Sequence, residues 1–136
     1  MTVVGAVKDG IHVNDAVVIG GGILNITATD DGIQCEKGPI SVTGGRTTVI
    51  TTGNAVYEDS DISSSSCINS GTTFAMTAGT VLLKSSGSAG KGLNCDGEIY
   101  LYGGTLRVVT TGKQYVYGRL DSSAKGIKSK SSLTIE

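Results

Sequence analysis

Along this chain apolar residues occupy alternate positions in short runs, and the runs recur in sets of three. In the first run of each set Ile11/Val13, Ile33/Cys35, Leu93/Cys95 and Ile127/Ser129 point one way, with a degenerate copy at Cys67-Ile68; His12, Gln34, Asn69, Asn94 and Lys128 form a polar column facing solvent. The second pairs Val17/Ile19, Ile40/Val42, Phe74/Met76, Ile99/Leu101 and Leu133/Ile135. The third runs Leu24/Ile26, Thr47/Val49, Val81/Leu83 and Leu106/Val108, with Asn25, Thr48, Leu82 and Arg107 outward. A period of two over so few residues predicts short strands with one buried side. Three such strands per repeat, stacked ~4.8 Å apart, predict an all-β fold: a right-handed three-sided parallel β-helix.

Two markers keep the register. Asp9-Gly10-Ile11, Asp31-Gly32-Ile33, Lys91-Gly92-Leu93 and Lys125-Gly126-Ile127 mark one corner, and Gly21-Gly22, Gly44-Gly45, Ala78-Gly79 and Gly103-Gly104 mark another. Self-similarity at a fixed period is the signature of a stacked solenoid. Counted from Asp9, the chain holds four full coils and the start of a fifth, as a single β-helix segment over 1–136. Insertions at 53–65 and 112–124 interrupt the period. With no polar cap at either end, the segment is expected to be a fragment of a longer helix, and its uncapped coils leave end-to-end self-association open.

Composition fits this architecture better than a conventional globule. One Phe, no Trp and 21 Gly among 136 residues cannot build a large aromatic core, but stacked coils need only a few inward aliphatics each. A net charge of −1 argues against a general nucleic-acid binder. No apolar run approaches the ~18 residues of a membrane-spanning helix, and Met1-Thr2-Val3-Val4 does not read as a signal peptide. Charge is uneven, however: residues 1–90 hold four Lys/Arg against eight Asp/Glu, and residues 91–136 hold seven against four.

The register then sorts the candidate chemistry. Cys35 and Cys95 share a column two coils apart, ~9.6 Å on the strand spacing and beyond disulfide reach, so the three cysteines are expected as buried thiols. Asp9, Asp30 and Asp31 meet at one corner. They could hold a hard cation such as Ca²⁺; alternatively Asp-Gly is turn chemistry, the Asp bonding its own backbone and the Gly taking positive φ. Ser66, Lys91 and Lys125 continue that column, so a metal ladder cannot run through it. His12 reads as a surface residue. Arg46, Arg107 and Arg119 are not grouped with the Asp corner, where a polysaccharide lyase would need its base.

Both insertions leave the same corner, two rungs apart, and must emerge on one side. One brings Tyr57, Glu58, Asp59 and Asp61; the other brings Tyr115, Tyr117, Arg119 and Asp121. Tyrosine faces beside charged groups suit sugar rings, and long insertions on one side of a repeat protein often mark its binding face. Equally, the loops could pack their tyrosines against the solenoid. Lys91, Lys125, Lys128 and Lys130 gather near the last two coils, where an acidic polymer could lie along them or where they could simply protect a strand edge.

Lys8-Asp-Gly-Ile-His-Val-Asn, Gly20-Gly-Gly-Ile-Leu-Asn-Ile-Thr-Ala-Thr-Asp-Asp-Gly-Ile33 and Gly90-Lys-Gly-Leu-Asn-Cys-Asp-Gly resemble a bacterial family of carbohydrate-binding domain-containing proteins. Its relatives include calcium-containing β-helices that bind polygalacturonic acid. The resemblance implies a secreted or surface-attached bacterial β-helix that binds an acidic polysaccharide without cleaving it, with pectate-lyase activity and a purely structural solenoid as alternatives. It also implies calcium at Asp-Gly corners; Lys91 and Lys125 depart from that pattern.

Overall fold

The computed structural model describes residues 1–136, and fifteen of its nineteen strands form three five-stranded parallel sheets. Face A consists of β1 (Thr2–Ala6), β4 (Ile23–Ala28), β7 (Arg46–Thr51), β12 (Thr80–Ser85) and β15 (Thr105–Thr110). Face B consists of β2 (Ile11–Val13), β5 (Ile33–Cys35), β10 (Ser66–Ser70), β13 (Lys91–Cys95) and β18 (Lys125–Ser129). Face C consists of β3 (Val17–Ile19), β6 (Ile40–Val42), β11 (Phe74–Met76), β14 (Ile99–Leu101) and β19 (Leu133–Ile135). The chain visits A, B and C in turn and climbs one rung per circuit, which is a three-sided parallel β-helix of five rungs.

The pairing follows the expected register residue for residue, as in Ile11↔Ile33↔Ile68↔Leu93↔Ile127 on face B and Val17↔Ile40↔Phe74↔Ile99↔Leu133 on face C. Inward residues from all three faces fuse into one core in which Phe74, Ile33, Ile68, Leu93 and Val81 are fully buried. Each such side chain contributes roughly 1.5–3 kcal/mol relative to exposure, so stacking supplies what no single rung could. The sequence reading missed β1. It pairs with β4 from Thr2↔Leu24 to Ala6↔Ala28, but Val3 and Val7 are exposed beside inward Val4 and Ala6, and apolar residues on both sides hide the period.

The two glycine markers do different work. Gly22, Gly45, Gly79 and Gly104 turn the chain into face A at φ of 75° to 91°, which disfavours any residue with a Cβ. The corner glycines of the Gly-Ile motif do not take positive φ, contrary to the turn reading. Their constraint is space: a Cβ on Gly32 would lie 2.2 Å from Val49 Cγ1 and 2.5 Å from the Cys67 carbonyl oxygen of the next rung.

Cys35, Cys67 and Cys95 are free and buried. Cys35 and Cys95 share a column with Ser70 between them, and each thiol or hydroxyl there donates to a turn carbonyl, such as Ser70 Oγ to Thr73 O at 2.6 Å. Burial pushes the Cys67 and Cys95 thiols up, away from the reactive thiolate.

Candidate functional site

Both insertions fold as β-hairpins on the corner between faces A and B. The first pairs β8 (Val56–Glu58) with β9 (Asp61–Ser63), and the second pairs β16 (Tyr115–Tyr117) with β17 (Leu120–Ser122). Asp59 and Ser60 take φ of 48° and 65° in the first turn, and Gly118 takes 60° in the second, as two-residue hairpin turns require. The hairpins spring from β7 and β15, with β12 between those strands, and they bend together so that β9 lies against β17. Tyr57 and Tyr117 stack with ring centroids 4.0 Å apart and planes 6° from parallel. Each ring spends one face on its neighbour yet stays 38% and 51% exposed, so an outer aromatic face remains on the joined pair.

Between the hairpins and face B lies a polar groove of about 310 Å³. The hairpins give it Asp61, Ile62, Ser64, Asp121 and Ser122; the floor gives it Asn69, Lys91, Asn94, Lys128 and Lys130. Tyr57 is the cross-strand partner of Ile62, which places the stack beside the groove wall. Lys130 is drawn to Asp96 at 2.7 Å.

Lys91 has a different setting from the exposed amine the sequence suggests. Its side chain is buried at 6% exposure, and Nζ donates to Ser64 Oγ at 2.5 Å and Ala89 O at 3.0 Å. Burial, reinforced by Lys128 and Lys125, lowers its pKa to about 8, while Asp31 opposes the shift. Lys125 pairs with it in register, but is exposed and donates to Ser123 O at 3.4 Å. Lys125, Tyr115 and Arg119 lie outside the groove lining, as do the stacked Tyr57 and Tyr117; Tyr115 is half-buried and Arg119 is exposed in the second hairpin turn. Arg46 and Arg107 belong to face A, and neither lines the groove.

The floor also holds a chain of amides that sequence reading took only as a solvent column. Asn94 Nδ2 donates to Asn69 Oδ1 at 3.0 Å, and Asn69 Nδ2 donates to Asp31 Oδ2 at 2.9 Å. Asn94 Oδ1 is left buried without a donor. The signal available in the sequence was the coincidence of this outward column with the rungs that carry the loops.

At the corner, Asp9 and Asp31 share a column, and each binds the backbone of the rung above instead of its own turn. Asp31 N donates to Asp9 Oδ1 at 3.2 Å, and Ser66 N donates to Asp31 Oδ1 at 2.7 Å. His12 Nδ1 sits 3.0 Å from Asp9 Oδ2, and Nε2 lies 3.2 Å from Glu36 Oε1. The hydrogen bond to Asp9 raises the His12 pKa against the opposing effect of desolvation, with Glu36 adding to the rise. Burial pushes Asp31 up from 3.8 to about 6, and the bonds from Asn69 and Ser66 offset only part of that. Asp30, one position earlier, turns into a separate groove with Lys8 and Glu58. Calcium needs carboxylate oxygens free to coordinate. Here all four oxygens of Asp9 and Asp31 already face nitrogen, and no group of three or more His, Cys, Asp or Glu side chains converges anywhere in the chain. Each oxygen keeps one further lone pair, but with no third carboxylate converging the corner is not a dense acidic cage.

The sequence matches the model of a family described as carbohydrate-binding domain-containing protein over residues 1–136. The chain belongs to that family. No curated protein and no solved structure matches it. The joined hairpins set an exposed aromatic face beside a recess that gathers hydroxyls and charges with the amides of face B.

Proposed function

We propose that this carbohydrate-binding domain holds an acidic polysaccharide, a polyuronate or a polymer like it, in the groove between the paired hairpins and face B, without cleaving it. The observation that carries the reading is the meeting of the two insertions over the lysine-bearing rungs. Lys128, with Lys91 behind it, offers positive charge to a uronate carboxylate, while Asp61, Asp121 and Ser122 offer partners for ring hydroxyls. The exposed face of the Tyr57–Tyr117 pair supplies an apolar platform for a sugar ring. Such a role suits a bacterial protein outside the cell or on its surface.

Titration with oligogalacturonates in a calorimeter tests this. Tyr117→Ala is expected to weaken binding by about tenfold or more, as loss of a central aromatic contact does. Lys128→Ala should weaken it most at low salt, where an exposed charge is least screened. Absence of binding, or binding untouched by both substitutions, would remove the groove from consideration.

We further propose that binding and folding are independent of calcium, on the strength of the committed Asp9 and Asp31 oxygens. A chelator should leave the melting temperature and the oligogalacturonate affinity unchanged. A drop in either on chelation would restore the cation to the account.

A further inference from the structure

The first hairpin has a groove on each side. On its far side lies a second recess of about 300 Å³, whose polar lining includes Lys8, Thr29, Asp30, Asn54, Glu58 and Ser64. Ser64 lines both recesses, so they meet at the hairpin base. Their charges differ in sign. The near groove holds Lys91, Lys128 and Lys130 against Asp61 and Asp121, whereas the far groove sets Lys8 against Asp30 and Glu58. Asp30 is half-buried, and burial first, then Asp9 and Glu58, hold its carboxyl above its ordinary value against the pull of Lys8.

We infer that the bound polysaccharide continues past the first hairpin into this far groove, and that the sugar unit seated there carries no carboxylate. The inference rests on the reading of the near groove as a uronate site and narrows its ligand. A uronate carboxylate placed beside Asp30 and Glu58, with Asp9 nearby, meets like charge in a partly desolvated recess, where repulsion is stronger than in bulk water. A neutral or acetylated sugar can instead donate its hydroxyls to those same carboxylates and accept from Asn54. The preferred chain therefore alternates uronate with uncharged units, and a homopolymer of uronate is the poorer ligand.

Calorimetry with two tetrasaccharides separates the possibilities: tetragalacturonate, and a tetramer alternating glucuronate with N-acetylglucosamine. The alternating tetramer is expected to bind the wild-type chain about tenfold more tightly. The double variant Asp30→Asn/Glu58→Gln should bring the two within about twofold, chiefly by improving tetragalacturonate. Asp30→Asn alone should move the ratio in the same direction, and serves if the double variant proves unfolded by circular dichroism. Equal affinities in the wild type, a preference for tetragalacturonate, or a ratio unmoved by these variants would overturn the far subsite while leaving the near one standing. If neither tetramer binds, the reading of the near groove falls and this inference falls with it.

Discussion

Gly32→Ala is expected to destabilise the solenoid by about 3 kcal/mol or more, at the upper end of what overpacking costs. The methyl would sit 2.5 Å from a backbone carbonyl oxygen of the next rung and 2.2 Å from Val49, which is fully buried. Neither neighbour can yield cheaply. Gly32 N donates to Ser66 O and Gly32 O accepts from Ile11 N, both at 2.9 Å, so moving this backbone strains two rung contacts at once. Gly5→Ala in β1 is the control, because a Cβ there meets nothing within 4 Å and the backbone takes no positive φ. It should be neutral or slightly stabilising. Urea denaturation of the two variants measures the difference, and similar losses from both would show that conformational freedom, not space, governs the corner glycines.

The second large effect is a stability minimum near neutral pH. Asp31 has its pKa raised from 3.8 to about 6, so the folded state disfavours the ionised form. Its stabilising contribution is full below about pH 4 and is lost as pH climbs through 6, a change of about 3 kcal/mol. His12, also raised, acts in the same direction: its contribution is present below 6.5 and disappears as pH rises through its folded value. Lys91 does the reverse. With its pKa lowered to about 8, it burdens the fold while charged and relieves it as pH rises from 8 toward 10.5. Melting temperature plotted against pH should dip between about 6 and 8. Asp31→Asn should flatten the acid limb and Lys91→Met the alkaline limb. A profile flat from pH 4 to 10 in the wild type would mean that neither burial matters.

How much of this could be read from the sequence follows from which contacts are periodic. Inward and outward assignments for Phe74, Ile99, Val49 or Asn94 needed only the alternation of two and the corner markers, because a parallel solenoid pairs equivalent positions. The burial of Cys35 and Cys95 followed from the same columns, whereas Cys67 stands one place before the column position of Ile68. The lineage of both hairpins from one corner was likewise a matter of counting. What lay beyond counting depends on shape. Nothing in the spacing told that the hairpins lean together until Tyr57 meets Tyr117, or that the tyrosines and Arg119 stay out of the groove lining. Lys91 looked like its register partner Lys125 and the nearby Lys128, and the spacing did not show that Ser64 of the first insertion and Ala89 O enclose it. The corner aspartates read either as a cation site or as local turn residues because a sequence does not display bonds to the next rung.

The amide chain on the groove floor has a direction, and Asp31 chooses it. An ionised carboxylate can only accept, so Asn69 must present its NH₂ to Asp31 and its oxygen to Asn94, which in turn leaves the Asn94 oxygen at the far end. An asparagine at position 31 could keep Ser66 N satisfied with its oxygen and offer NH₂ upward. Asn69 and Asn94 would then both flip, and the chain would end in a donor instead of an acceptor. The hydrogen-bonding polarity offered at the fourth rung is thus written at the second, by a residue outside the groove lining.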